Sequence, residues 1–260
     1  MSYLNEIDAW KISLILMLLM LGLTEVGHRV GKLKLKKINS KVLVDSNSSY
    51  NSLAGLLFLM LAFTFGMSVS RYDNRRQVII QESNIIGTAI LRSDLYTEKE
   101  RELFRKDFNK YVESRIDYYK AGKDLGKKQQ SLTQSQFISS RLWDRASRLS
   151  LDIKNTDATR LMIPALNEMI DITTTRLSAE IAKVPDSIIW FLFTLACISS
   201  FFSSYSSALK GSIDWLIEFG FCLMISITIL FILDLDRPFR GFVTLDESEK
   251  NIIQLLSYFK

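Results

Sequence analysis

Residues 53–90 read LAGLLFLMLAFTFGMSVSRYDNRRQVIIQESNIIGTAI, and the architecture turns on how this run folds. Its first half, Leu53 to Ser70, carries no charge. A lipid-spanning helix needs roughly 20 apolar residues, because the hydrocarbon core is about 30 Å thick and each residue rises about 1.5 Å. Beyond Ser70 the run turns polar through Arg71, Tyr72, Asp73, Asn74, Arg75 and Arg76. Apolar positions Val78, Ile79, Ile85, Ile86, Ala89 and Ile90 then recur at helical spacing. No proline interrupts them, and Gly87 alone is a weak breaker. The run therefore predicts one helix leading from the membrane well into a soluble region.

Three further apolar blocks lie at about Trp10 to Gly27, Ile188 to Leu209 and Asp214 to Leu233. The chain has 260 residues, 48% hydrophobic and 23% charged, with the charges filling the space between blocks. That distribution excludes a purely soluble protein. The expectation is an all-α integral membrane protein with four transmembrane helices, two plus two, around a helical soluble domain. The segments are 1–70 (first pair with a basic loop), 71–185 (soluble domain), 186–235 (second hairpin) and 236–260 (C-terminal tail). The start MSYLNEIDAW lacks a basic n-region or cleavage site, so the first block reads as a retained span. Gly27 and Gly31 have the spacing of close helix contact, but at a span's end an interfacial turn is the preferred reading.

Within the soluble domain, Leu103, Phe104, Phe108, Tyr111, Val112, Ile116 and Tyr119 mark one amphipathic helix, ended by Gly122. Ile138, Leu142, Ala146, Leu149 and Ile153 mark a second. Met162, Leu166, Met169, Ile170, Leu177 and Ile181 mark a third, with Pro164 near its start and Pro185 past its end.

Several function classes drop out. The net charge is +5 with no long basic tract, so nucleic acid is not an expected partner. Cys197 and Cys222 both lie in apolar blocks and read as small fillers. His28 is the single histidine, and no nucleophile–base pair, Gly-rich phosphate loop or metal spacing is present. The expectation is a non-enzyme with no cofactor and no metal. Glu25 and Glu218 sit near span ends, where snorkelling or interfacial placement explains them. Basic residues flank the spans in nearly equal numbers on both sides, so charge does not orient the protein.

Leu61-Ala62-Phe63, Ser68, Arg71-Tyr72 and Arg76 resemble the second membrane helix of the bestrophin anion channels. The chain more closely resembles a bacterial family described as bestrophin-like. The marks are Arg71-Tyr72-Asp73, Glu82-Ser83-Asn84-Ile85-Ile86-Gly87-Thr88-Ala89, Leu91-Arg92-Ser93-Asp94 and Asp234-Leu235-Asp236-Arg237-Pro238-Phe239-Arg240-Gly241. It departs from bestrophins in having Phe65-Gly66 at a polar position, and it lacks their double Trp and acidic calcium clasp.

The resemblance implies an oligomer, a pentamer, in the bacterial inner membrane, with the soluble domain cytoplasmic and the second span lining a central pore for small inorganic anions such as chloride. Phe58, Leu61, Ala62, Phe65 and Val69 share one helical face and would form a hydrophobic constriction. An ordinary packing face is the alternative. Arg71, Arg75 and Arg76 would raise anion concentration at the pore exit, or would anchor lipid headgroups and pair with Asp73 or Asp236. Glu82, Asn84, Thr88, Arg92 and Asp94 would line a vestibule or join an inter-helix network. Asp234, Asp236, Arg237 and Arg240 would fix the junction of span and domain. Two other readings stand beside the anion channel: a non-conducting scaffold or sensor, and a cation channel of the same architecture using Glu82 and Asp94.

Overall fold

The computed structural model describes residues 7–37, 46–211, 213–237, 243 and 245–259. Eight α-helices follow one another there: α1 Ala9–Lys37, α2 Ser46–Arg92, α3 Glu98–Lys120, α4 Leu125–Leu149, α5 Thr156–Ile181, α6 Asp186–Leu209, α7 Trp215–Leu235 and α8 Asp246–Gln254. Short 3-10 turns, Ser93–Leu95 and Leu255–Phe259, follow α2 and α8. Four helices are long and apolar enough to cross a membrane, and no strand occurs among the described residues. The single helix expected across residues 53–90 is present as α2. In the segment expected to be a tail, α8 is a helix whose Ile252 is fully buried.

Two compact units emerge, dividing between Arg71 and Tyr72 and between Ala182 and Lys183. The membrane unit holds α1, the first part of α2, α6 and α7. Its core joins Leu16 and Met20 of α1, Leu57 and Leu61 of α2, Leu192 and Ala196 of α6, and Ile225 and Ile229 of α7. Outside that core α1 exposes Leu14, Ile15, Leu18 and Leu19, and α7 exposes Leu216, Ile217 and Met224. A helix apolar all round needs exposed apolar groups of this kind to face lipid. The hairpin turn passes Gly211 at φ +92°, and Asp214 caps α7 by accepting from the Leu216 amide at 3.0 Å.

Gly27 and Gly31 do not form an interfacial turn. They lie inside α1, where they bring its backbone against α6. A Cβ at Gly27 would collide with the Phe201 carbonyl, and one at Gly31 would lie 2.7 Å from the Ala208 Cβ. Without a hydrophobic drive between helices in lipid, such backbone approach is how they associate.

The second unit wraps α3, α4, α5 and α8 around the rest of α2. Phe104, Phe108, Tyr111, Leu142, Met162, Leu166, Ile86 and Ile90 are buried together. Each of these side chains contributes about 1.5–3 kcal/mol on burial. Ile153, expected on α4, is instead 93% exposed in the turn after it. Gly87 is buried because Leu255 packs over it, 3.4 Å from where a Cβ would stand.

A carboxylate sits in the middle of this apolar packing. Glu82 is fully buried, and both its oxygens are taken. Arg115 Nε donates to Oε1 at 2.6 Å, while Arg176 and Tyr119 donate to Oε2 at 2.6 and 2.8 Å. Arg176 also reaches Glu180 at 3.3 Å, and the Tyr118 hydroxyl donates to Glu180 at 2.7 Å. The guanidinium of Arg176 lies 3.7 Å over the Tyr119 ring. Burial pushes the Tyr118 phenol up, and the neighbouring Glu180 carboxylate adds to the shift. Burial opposes charge on Arg115, but the Glu82 carboxylate together with Tyr111 and Tyr118 outweighs it and holds the guanidinium above its ordinary value.

Replacing Gly31 by leucine separates α1 from α6. Thermal unfolding of the detergent-purified protein will show a loss of about 1–3 kcal/mol or more, whereas Gly22→Leu, with nothing within 4 Å of its Cβ position, leaves stability nearly unchanged. Replacing Glu82 by alanine leaves the buried Arg115 without its carboxylate and Arg176 with Glu180 alone, and costs about 3–5 kcal/mol. Denaturant unfolding of Glu82→Ala beside Asn84→Ala, an exposed neighbour, reads this difference.

Candidate functional site

The α2 helix carries most of the residues singled out by sequence, and its buried stripe decides which of them are available. In the membrane unit, Leu57, Leu61, Thr64 and Ser68 face inward. Of the expected constriction face, Phe58, Ala62 and Phe65 are exposed and Val69 is half-buried. Leu61 is 5% exposed and belongs to the packing core, so the five do not share one open face. Phe58 also packs edge-on against Phe221 of α7, with centroids 6.1 Å apart. At about 100° per residue, the direction opposite the buried stripe passes through Gly55, Leu59, Ala62, Gly66 and Ser70. All five are exposed. A shallow groove along this part of α2 is lined by Ala62, Phe63, Gly66, Met67, Ser70 and Arg71.

The three arginines separate into different jobs. Arg71 is half-buried and paired with Asp236 at 3.6 Å. Asp236 also accepts from the Val184 amide at 3.0 Å, so one carboxylate holds the end of a span and the start of the next segment. Arg75 is not at an exit. It is 2% exposed and donates to the carbonyls of Ala179 at 3.0 Å and Ala182 at 2.6 Å, closing the C-terminal end of α5. Arg76 alone is exposed and makes no ion pair among the described residues.

The expected vestibule residues disperse too. Glu82 is the buried hub described above and lines nothing. Asn84 and Thr88 are exposed, with the Thr88 hydroxyl bonded to the Asn84 carbonyl at 2.9 Å. Arg92 folds onto the Leu161 carbonyl at 2.6 Å. Asp94 takes a forked pair of bonds from Arg105 at 2.8 and 2.9 Å, which holds its carboxyl below the usual carboxylate range. Asp234 accepts from the Val243 amide at 3.0 Å, and Arg237 donates to the Ile7 carbonyl at 2.6 Å. Arg240 lies outside the described residues.

One feature escaped sequence reasoning. Glu218 does not snorkel: it is 4% exposed, and Ser203 donates to it at 2.8 Å from the facing helix. Ser207 approaches the same oxygen at 3.5 Å, and Oε2 has no hydrogen-bond partner among the described residues. Thr24, Ser200, Ser204 and Cys222 continue this polar seam between α1, α6 and α7. The signal available was the hydroxyl run of α6, Ser199 to Ser207, which is too polar to face lipid. Glu25, by contrast, is half-buried and paired with Arg29 at 2.5 Å, as expected of a span end. No group of three or more His, Cys, Asp or Glu comes together as metal ligands among the described residues.

None of the curated proteins matches this chain. In fold it is similar to the crystal structure of a bacterial bestrophin homologue from Klebsiella pneumoniae. The TM-score is 0.71 at 14% sequence identity, over 95% of this chain and 98% of that one. At that identity the likeness speaks for the fold. A family model described as the bestrophin-like domain matches residues 36–249. With most of its length matched, and with four membrane-spanning helices and a helical domain between the second and third, the chain is a multi-pass membrane protein of the bestrophin-like family.

Proposed function

We propose that this protein is an ion channel, a homo-oligomeric ring, most simply a pentamer, with α2 of each copy lining a central pore. The observation that carries the reading is the chemistry of α2's open face. Where α1 and α7 meet lipid they show leucine, isoleucine and methionine. The centre of the α2 face shows Gly55, Leu59, Ala62, Gly66 and Ser70, small or hydroxyl-bearing apart from Leu59, with Phe63 and Met67 at its sides. Such a face suits other copies of the helix and a narrow water path. Phe65, 39% exposed to the side of that centre, supplies apolar bulk at the flank that gates a neck by dewetting. The setting would be a bacterial inner membrane, with the domain in the cytoplasm.

Charge along the same helix decides the selectivity we favour. The lining direction through Ala62, Gly66 and Ser70 continues in helical register to Asp73, Gln77 and Asn84, all exposed. Arg71 is engaged by Asp236, and Arg75 is withdrawn into the fold. A ring of Asp73 carboxylates favours cations. The anion reading rests on Arg76, which is exposed but lies to the side of that direction.

In planar bilayers the purified protein will pass current, and with asymmetric sodium chloride its reversal potential will lie toward the sodium equilibrium potential. Asp73→Asn will shift it toward chloride. Phe65→Ala will raise unit conductance and Ala62→Phe will lower it, while Leu61→Ala lowers stability and leaves conductance alone. Absence of conductance under any voltage sinks the channel reading. A chloride-directed reversal potential unmoved by Asp73→Asn restores the anion assignment.

A further inference from the structure

An open groove of about 280 Å³ in the second unit is lined by Arg76 and Ile80 of α2 and by Ser248, Lys250, Asn251 and Gln254 of α8. Among the described residues its lining holds two cations, two amides and a hydroxyl, and no acid. Arg76 and Lys250 are exposed, and neither is engaged in an ion pair among the described residues. The nearest acid on α2, Asp73, is one turn back and forms no ion pair with Arg76. Glu249 interacts electrostatically with Lys128 on another helix. The amides differ: Asn251 spends one N–H on the Ser248 carbonyl at 3.1 Å, whereas the Gln254 side chain is exposed and makes no bond.

We infer that this groove binds a phosphate-type oxyanion. A guanidinium fork and an ammonium, with amide N–H groups in the same lining, offer several directed donors. That set matches a tetrahedral oxyanion with several acceptor oxygens better than it matches a spherical halide. Electrostatic attraction alone would need no amides. Two sources fit the chemistry, a free phosphate and a lipid headgroup. Arg76 stands five residues beyond Arg71, about 7.5 Å of rise along α2, within the depth of a headgroup layer. The inference is independent of conductance, since it concerns a surface off the lining direction of α2.

Equilibrium dialysis of inorganic phosphate against the full chain in uncharged detergent tests the site. Saturable binding is expected, weakened about tenfold or more in the Arg76→Gln/Lys250→Gln double variant. Lys106→Gln, an exposed charge on α3, should change nothing. Equal binding by wild type and double variant overturns the inference, and so does chloride displacing phosphate at equal ionic strength as well as sulfate does. Because both residues are exposed, the variants keep their fold, and Arg76→Lys separates the fork from the charge by retaining only part of the affinity. The same measurement in phosphatidylcholine nanodiscs with and without phosphatidylglycerol identifies the source. Suppression by phosphatidylglycerol marks a headgroup site, and unchanged binding marks a site for free phosphate. Either result upholds the oxyanion chemistry.

Discussion

Glu82 is a charged carboxylate with no contact to water, on the longest helix of the chain, and the second unit is arranged to make that position tolerable. Isolated in an apolar interior the carboxylate would cost many kcal/mol. Two guanidiniums and a phenol answer it, contributed by α3 and α5, and Glu180 answers the second guanidinium in turn. The set holds α2, α3 and α5 in one register, because charge-assisted bonds lose their strength with small displacement. A purely apolar core of the same volume would be as stable or more so. What the charges add is direction: only one rotation of α2 about its axis puts Glu82 beside Arg115 and Arg176.

Each unit takes its own inward stripe from α2. In the membrane unit the stripe is Leu57, Leu61, Thr64 and Ser68, and the side opposite it is mostly small residues. In the second unit the stripe is Arg75, Ile79, Glu82 and Ile86, and the exposed side carries Asp73, Gln77 and Asn84.

The sequence displays what depends on length and composition. Four spans and an unbroken α2 were legible, because roughly 20 uncharged residues have few other uses and no breaker lies in the run. The three amphipathic helices were legible from their periodicity, apart from Ile153, whose apolar character extended α4 beyond its true end. The family was legible from motifs spread over the chain. The roles of individual charges were not. Arg75 and Glu218 were placed at water, headgroup or a surface partner, the default for charged groups, and Glu82 either on a vestibule or in an inter-helix network, with nothing to choose between them. Their partners lie 104, 33 and 15 positions away, distances at which local pattern carries no information. The phase of α2 failed for the same reason. Leu61 and Phe65 look alike in sequence, and only the partners of the helix distinguish a core leucine from an open phenylalanine.

The phase of α2 also bears on how family resemblance transfers to selectivity. Three arginines after a span suggest an anion path when they are counted, but a pore is sensitive only to charges on its wall. Of these three, one is closed by a carboxylate and one is spent on α5 carbonyls. Under the proposed channel reading the lining direction of α2 reaches Asp73 instead, so the charge such a pore would present is set by which side chains α2 exposes and not by how many cations follow the span.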